Sequence, residues 1–214
     1  FYRTYMGGSA MGMHYVLKET PVGVDPFSPD NVLALCTGIL TGTPISGQSR
    51  LTSVAKSPLT GCIGDAQGGG YFPAEMKFSG FDAVIIKGRS PKPVYIWMHH
   101  GEAELRDASH LWGLKTGDAE DKLKEELDDK RIEVLQIGPA GENLVRYSAL
   151  ISMSNRANGR TGMGAVMGSK NLKAVVVRGK MKPAVANPEK FKEMQKIAKL
   201  NLEPTGMDGF GKYG

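Results

Sequence analysis

Short apolar runs separated by turn-forming residues define most of the elements that this sequence predicts. Continuous apolar runs indicate buried strands, whereas alternation of apolar and polar residues indicates strands with one buried face. On these patterns we predict strands at 32–36, 50–54, 83–86, 94–98, 102–106, 132–137, 146–151 and 173–178. Helical spacing and capping residues predict a helix that carries Met11 and Val16, one at 118–127, and one that begins at Asn187.

A glycine-rich stretch at 56–70 is the feature around which these elements are organised. It ends in three consecutive glycines, Gly68, Gly69 and Gly70. Because glycine has no Cβ, we interpret the stretch as a loop that lets a ligand approach the backbone closely. A short helix is predicted at 71–78, and the N-terminus of a helix after such a loop offers N–H groups to an anion. Arg50 lies just before the stretch, where it is either a phosphate ligand or a surface arginine.

The same order of features recurs about ninety residues later in the chain. A second glycine-rich loop at 155–164 is followed by a short predicted helix at 165–168. The strand at 173–179 then resembles the stretch at 82–88. We interpret this order as a weak internal duplication of loop, short helix and buried strand. The alternative is chance, because glycines and Val/Ile runs are common.

Composition and charge narrow the classes of function. The 214-residue chain has 27 Lys and Arg against 22 Asp and Glu, a formal net charge of +5. The basic residues are scattered and do not alternate with aromatic residues, so we expect no nucleic-acid partner. No apolar run approaches the length of a membrane span, so no membrane partner is expected either. Two cysteines, Cys36 and Cys62, are too few for a disulfide framework and are interpreted as buried thiols in a reducing compartment, the cytoplasm.

Three local patterns suggest a metal site, a P-loop and a dinucleotide-binding fingerprint, but none of them matches its motif well. The pair His99-His100 invites a metal site, but neighbours on a strand point to opposite faces, and we interpret both as turn residues of a hairpin. In the stretch 164–170 the serine precedes the lysine, which is the wrong order for a P-loop. The glycines at 162–168 do not directly follow a predicted strand, as those of a dinucleotide-binding fingerprint do.

Seven ordered stretches, spread over nearly the whole chain, resemble the N-terminal domain of the aldehyde ferredoxin oxidoreductases. They include Lys-Ser-Pro-Leu-Thr-Gly at 56–61, Arg-Asp-Ala-Ser-His-Leu-Trp-Gly at 106–113 and Ile-Gly-Pro-Ala-Gly-Glu-Asn at 137–143. The others are at 24–31, 40–43, 69–72 and 162–170. Any one of these matches is weak, but their number and order make the resemblance specific.

The resemblance implies a fold, a cofactor and an activity. It implies an α+β domain in which two β-sheets and a few short helices form a saddle under a bis-pterin cofactor that holds tungsten or molybdenum. The suspected duplication suits a cofactor with two similar halves. The family oxidises aldehydes to carboxylic acids, passes electrons through a 4Fe-4S cluster to ferredoxin, and includes homodimers. The substrate pocket and the cluster cysteines lie in later domains of the family.

The resemblance also implies which residues hold the cofactor. Arg50 and Gly69 correspond to contacts with pterin phosphate. The backbone carbonyls of Gln67 and Ala157 correspond to ligands of a Mg²⁺ ion between two phosphates. The neighbouring residues complete the implied cofactor-binding set, which is Arg50, Gln67, Gly68, Gly69, Gly70, Arg156, Ala157, Gly159 and Arg160. No catalytic residue is expected within this chain.

Two positions depart from the family pattern. Gln67 stands where the family commonly has Asn, which a backbone contact tolerates but a side-chain contact does not. Gly-Gly-Ser-Ala at 7–10 stands where the family has Gly-Gly-Arg-Gly, so one cation near the cofactor is lost.

We expect a pterin-binding domain at 1–186, without the family's extreme N-terminus, and the start of a helical domain or linker at 187–214. The expected function is the cofactor cradle of a larger oxidoreductase, whose remaining domains are its partners. The alternative is a stand-alone, non-catalytic module that binds a pterin or nucleotide or serves in assembly. A plain NADP-binding domain is the weakest competitor.

Overall fold

The structure, a computed structural model, describes residues 1–45, 47–200 and 212, with the backbone alone for 198–200. Six helices and ten strands are defined in this part of the chain. The helices are α1 (Gly8–Glu19), α2 (Phe72–Phe78), α3 (Thr116–Glu126), α4 (Pro139–Glu142), α5 (Met163–Ser169) and α6 (Pro188–Leu200). The strands are β1 (Leu33–Thr37), β2 (Arg50–Lys56), β3 (Ile63–Gly69), β4 (Ala83–Ile86), β5 (Val94–His99), β6 (Glu102–Asp107), β7 (Glu133–Gln136), β8 (Leu150–Ser152), β9 (Arg156–Asn158) and β10 (Leu172–Arg178).

The strands form two sheets, as the α+β prediction requires. The first sheet has four antiparallel strands in the order β3-β2-β1-β4. The second has six in the order β6-β5-β10-β7-β8-β9, in which only β10 and β5 run parallel. The predicted α+β class with two sheets is therefore confirmed, and β3 and β9 are edge strands of different sheets.

Apolar residues on both faces of the central strands explain why the sheets are covered on both sides. In β1, Leu33 and Leu35 pack into the main core with α2 and α5, whereas Ala34 and Cys36 pack on the opposite face with α1. In β10, Val175 and Val177 face the main core, and Ala174 and Val176 face the cluster that includes Leu123 of α3. Since neighbouring residues of a strand point to opposite faces, a continuous apolar run is needed wherever both faces are covered. The layers are α1, the first sheet, α2 with α5, the second sheet, and α3.

Most elements lie where the sequence predicts them, and several predictions are wrong. The region 63–69, predicted as part of a glycine-rich loop, is strand β3. The predicted strand at 146–151 is confirmed only at its end, in β8, because Ser148 donates to the Val145 carbonyl in a turn and its own carbonyl accepts from Gly164. His99 belongs to β5, with its ring stacked on Trp97 at a centroid distance of 5.0 Å, so only His100 is a turn residue.

The two copies of the suspected duplication have the same order but different surroundings. Each contains an edge strand, a seven-residue helix and a further strand: β3, α2 and β4 in the first, and β9, α5 and β10 in the second. However, β4 is an edge strand of its sheet, whereas β10 lies inside its sheet. Helix α6 begins after Asn187, whose side-chain Oδ1 accepts the Lys190 N–H at 2.9 Å, as the capping prediction requires.

Candidate functional site

The two sheets meet where their edge strands β3 and β9 lie against each other. Asn158 of β9, only 2% exposed, joins them. Its Nδ2 donates to the Ala66 carbonyl at 2.8 Å and lies 3.2 Å from both the Leu51 carbonyl and the Ser53 Oγ. An edge strand pairs on one side only, so its other side presents N–H and C=O groups that the sheet does not use. The junction therefore brings two such backbones into one place.

The glycines of β3 allow this close approach. An added Cβ at Gly68 would lie 2.3 Å from the Asn158 Oδ1, and one at Gly64 would lie 2.6 Å from the Met163 Cε. Both glycines are on the buried face of β3, in step with Ala66. Glycine inside a strand often marks a place where another backbone comes close. Of the glycines that we predicted to admit a ligand in a loop, Gly68 thus packs one sheet against the other, and Gly64 packs against Met163 of α5. Only the opposite face of β3 is open.

A cleft of about 530 Å³ lies on this open side of the junction. Its lining residues are Asp65, Gln67, Ala157, Gly159 and Arg160. Four of them belong to the predicted cofactor-binding set, and they come from segments ninety residues apart in the chain. The structure therefore brings together Gln67 and Ala157, the two residues predicted to present carbonyls to Mg²⁺.

Asp65 is the lining residue that sequence reasoning missed. It lies two positions before Gln67, and alternation along a strand places both side chains on the same face. The spacing of two residues between Asp65 and Gln67 is visible in the sequence. It indicates a shared face only in a strand, and we interpreted this region as a loop. No described residue forms a hydrogen bond or ion pair with the Asp65 carboxylate.

The other predicted residues lie close to the cleft but do not line it. Arg50 is exposed and pairs in register with Gly69 across β2 and β3. A Cβ built on Gly70 would lie 3.2 Å from the Arg156 Cγ, so Gly70 is close to the Arg156 side chain at the start of β9. Within the described part of the chain, the guanidinium groups of Arg50, Arg156 and Arg160 have no carboxylate partner, and all three side chains are exposed. Their charge is available to an anion.

Helix α1 reaches the same region from the outer face of the first sheet. The Gln67 Nε2 donates to the Ser9 Oγ in the first turn of α1 at 3.3 Å. This turn belongs to the stretch at 7–10, one of the two positions at which we expected a departure from the family pattern. The Gln67 side chain thus holds the start of α1 beside the cleft, while its backbone remains part of the edge strand.

The short helix α5 does not offer its N-terminus to a ligand. All of its residues are buried. The amide of Gly164 donates to the Ser148 carbonyl at 3.0 Å, and those of Ala165 and Val166 donate to the Gly162 carbonyl. Because these amides already have protein acceptors, they are not available to an anion beside the second glycine-rich loop.

The cysteines and the remaining metal candidates lie apart from this chemistry. Cys36 is buried as predicted, and burial raises the pKa of its thiol to about 12. Cys62 is exposed, so that prediction is wrong, because the residue lies in the turn between β2 and β3. Among the described residues, no three His, Cys, Asp or Glu side chains are grouped so as to hold a metal ion. None of the described helices is both long and apolar enough to cross a membrane.

Known proteins share both the sequence and the fold. A tungsten-containing aldehyde ferredoxin oxidoreductase of Pyrococcus abyssi is 49% identical over 216 residues, covering 100% of this chain and 36% of that protein. The enzyme of the same description from Pyrococcus furiosus is 44% identical and is covered to 35% of its length. This chain thus spans about a third of these relatives. The active-site complex BamBC of benzoyl coenzyme A reductase, solved with 1,5 dienoyl-CoA, is 38% identical with a TM-score of 0.88, over 91% of this chain and 30% of that one.

The match to a family model covers most of the chain. Residues 1–179 match the model described as aldehyde ferredoxin oxidoreductase, N-terminal domain. This range contains both sheets, the junction of β3 and β9, and every residue that lines the cleft. The chain belongs to the aldehyde ferredoxin oxidoreductase family, in which it corresponds to the N-terminal domain.

Proposed function

We propose that this chain is the cofactor-binding domain of a tungsten or molybdenum bis-pterin oxidoreductase that oxidises aldehydes to carboxylic acids. The observation that carries the proposal is the cleft between the two edge strands. It gathers Gln67, Ala157, Gly159 and Arg160 from two distant segments, and three unpaired guanidinium groups lie in or beside it. Membership of a family with tungsten-containing relatives supports a metal–pterin cofactor.

The residues present fit the phosphate end of such a cofactor. Mg²⁺ prefers oxygen ligands, keeps several waters and is usually completed by substrate phosphates rather than by a cage of protein side chains. The carbonyls of Gln67 and Ala157 are oxygen ligands on edge strands, in a region without a side-chain metal cluster among the described residues. The cleft therefore suits Mg²⁺ bound together with phosphate.

The arginines and glycines have complementary tasks in this proposal. Arg160 contacts phosphate in the cleft, and Arg50 and Arg156 attract it from the rim, because guanidinium groups bind phosphate through charge-assisted hydrogen bonds. Backbone amides of Gly69 and Gly159 come close to the phosphate because no side chain covers them. Gly68 and Gly70 hold β3 against β9 and so fix the width of the cleft.

The chemistry itself belongs to the bound group, since the metal–pterin centre supplies the oxidation of substrate and the protein supplies position and electrostatics. This chain's own residues bind and orient the phosphate end of the cofactor on the saddle that the two sheets form. We assign the aldehyde pocket to residues of later domains.

The remaining parts of the proposal concern the whole enzyme. A 4Fe-4S cluster requires four thiolates, and the sequence has two cysteines, so we place the cluster in a later domain. Ferredoxin is the proposed electron acceptor, homodimers the proposed assembly, and the cytoplasm the proposed compartment. We place the domain boundary near residue 186, before α6, which lies beyond the range of the family match.

Calorimetric titration with magnesium pyrophosphate tests the cleft directly. Pyrophosphate stands for the two cofactor phosphates. We expect the Arg160→Ala variant to bind it at least about tenfold more weakly, because a hydrogen bond from a charged donor is worth about 1.5–3 kcal/mol. In the whole enzyme the same substitution should lower the tungsten content, measured by mass spectrometry of the purified protein.

The matched control is Arg131→Ala. Arg131 is also an exposed arginine, with 74% of its side chain accessible, but it lies outside the cleft. It should leave pyrophosphate affinity unchanged. Equal losses in the two variants would show that binding depends on net charge alone, and tight NADP binding by the wild type would favour the nucleotide-binding alternative.

A further inference from the structure

Asp65 is the only carboxylate among the described residues that line the cleft. It is partly exposed, and no described residue neutralises it by a hydrogen bond or an ion pair. Its position in β3 puts its side chain on the same open face as Gln67. An unpaired negative charge therefore lies in a cleft that we assign to phosphate.

Without a metal ion between the carboxylate and the phosphate, this placement is unfavourable, because the Asp65 carboxylate forms no ion pair with the arginines of the cleft. A carboxylate and a phosphate in one cleft repel each other, and like charges in proteins are kept together by a metal ion or a proton. With a divalent cation between them, both become ligands. One or two carboxylates together with phosphates and waters are the usual environment of Mg²⁺ in proteins.

We propose that Asp65 is the carboxylate ligand of the divalent cation in this cleft. This inference rests on the phosphate site proposed above and extends it. The carbonyls of Gln67 and Ala157 supply neutral oxygens, Asp65 supplies the protein's negative charge, and phosphate completes the shell. Asp65 therefore makes phosphate binding depend on the metal: it opposes phosphate alone and favours phosphate with Mg²⁺.

The Asp65→Asn variant tests this because it removes the charge and preserves the shape. Two titrants are used, Mn²⁺ followed by electron paramagnetic resonance and pyrophosphate followed by calorimetry. We expect Mn²⁺ affinity to fall about tenfold or more, with or without pyrophosphate, in line with the effect of altering a metal's protein environment. We expect metal-free pyrophosphate binding to become several-fold stronger, because a repulsive charge is gone.

The matched control is Asp121→Asn on the exposed surface of α3, which should change neither affinity. Circular dichroism spectra of both variants establish that they fold. Unchanged Mn²⁺ binding in Asp65→Asn, or a wild type that binds no Mn²⁺, would overturn the role of Asp65.

Two further outcomes have separate meanings. If Asp65→Asn strengthens pyrophosphate binding equally with and without the metal, Asp65 is only a repulsive neighbour and the inference is wrong. If the wild type binds Mn²⁺ through Asp65 but does not bind pyrophosphate under any condition, the proposed phosphate site fails while the metal ligand stands.

Discussion

Gly68 gives the sharpest test of how the two sheets are joined. Gly68→Ala adds a single methyl group to the buried face of β3. The added carbon would lie 2.3 Å from the Asn158 Oδ1 and 3.2 Å from the Asn158 Cγ, so the Asn158 side chain must move. That side chain is buried and is held by acceptors on β2 and β3, including the Ala66 carbonyl.

The cost follows from three terms. Displacing the two N–H donors of Asn158 loses about 1 kcal/mol each, and overpacking a closely packed site costs about 1–3 kcal/mol. Replacing Gly by Ala at a compatible backbone conformation returns about 0.4–1 kcal/mol through the unfolded state. We therefore expect Gly68→Ala to lower the free energy of unfolding by about 2–5 kcal/mol. A loss of ~3 kcal/mol corresponds to a fall in melting temperature of about 6–12 °C.

Urea unfolding followed by tryptophan fluorescence measures this cost, and Gly69→Ala is the control. At Gly69 the nearest atom to an added Cβ is the Ser49 carbonyl oxygen, at an ordinary 3.6 Å. Gly69→Ala should change stability by no more than about 0.5 kcal/mol. In an Asn158→Ala background, Gly68→Ala should cost far less than in the wild type, since the atom it displaces is gone. Equal costs at Gly68 and Gly69, or additive costs in the double variant, would refute this account of the junction.

Two further predictions concern buried charges. Burial is the largest cause that raises the pKa of Glu133 to about 7, followed by the charges of Glu120 and Glu75. Between about pH 4.5 and 7 the native state therefore keeps a proton that the unfolded chain has already released. The free energy of unfolding falls as the pH rises through this range. Glu133→Gln should remove this slope and stabilise the protein at pH 8; parallel pH profiles of urea unfolding for the variant and wild type would contradict this. Lys173 is fully buried and forms an ion pair with Glu142 at 2.5 Å, so Lys173→Met should cost about 3–5 kcal/mol by leaving a buried carboxylate unpaired. Adding Glu142→Gln should recover part of that loss in the same assay, and no recovery would argue against charge as its cause.

The central strands could be predicted from the sequence because their signal is local. Both faces of β1 and β10 are covered, so every residue from Leu33 to Cys36 and from Ala174 to Val177 is apolar. Such a run indicates a buried strand whatever its partners are. The same holds for the start of α6, where the Asn187 cap precedes a proline.

Strand β3 could not be predicted in this way because the reason for its sequence is distant. Three of its seven residues are glycine, which is depleted in strands, and one of them, Gly68, admits a strand that lies ninety residues later. Once 63–69 is interpreted as a loop, the shared face of Asp65 and Gln67 cannot be recognised. The family resemblance supplied Gln67 and Ala157 as a pair, but only the fold shows that the two edge strands bring them together.

The central claim is that the cleft between β3 and β9 binds a divalent cation together with phosphate. The most direct test is a crystal structure of the chain, from crystals grown with Mn²⁺ and pyrophosphate and diffraction data recorded at the manganese absorption edge. The account predicts an anomalous peak in the cleft, within coordination distance of the Gln67 and Ala157 carbonyl oxygens, and pyrophosphate density beside Arg160. A manganese peak elsewhere, or ordered pyrophosphate away from the junction of β3 and β9, would contradict it.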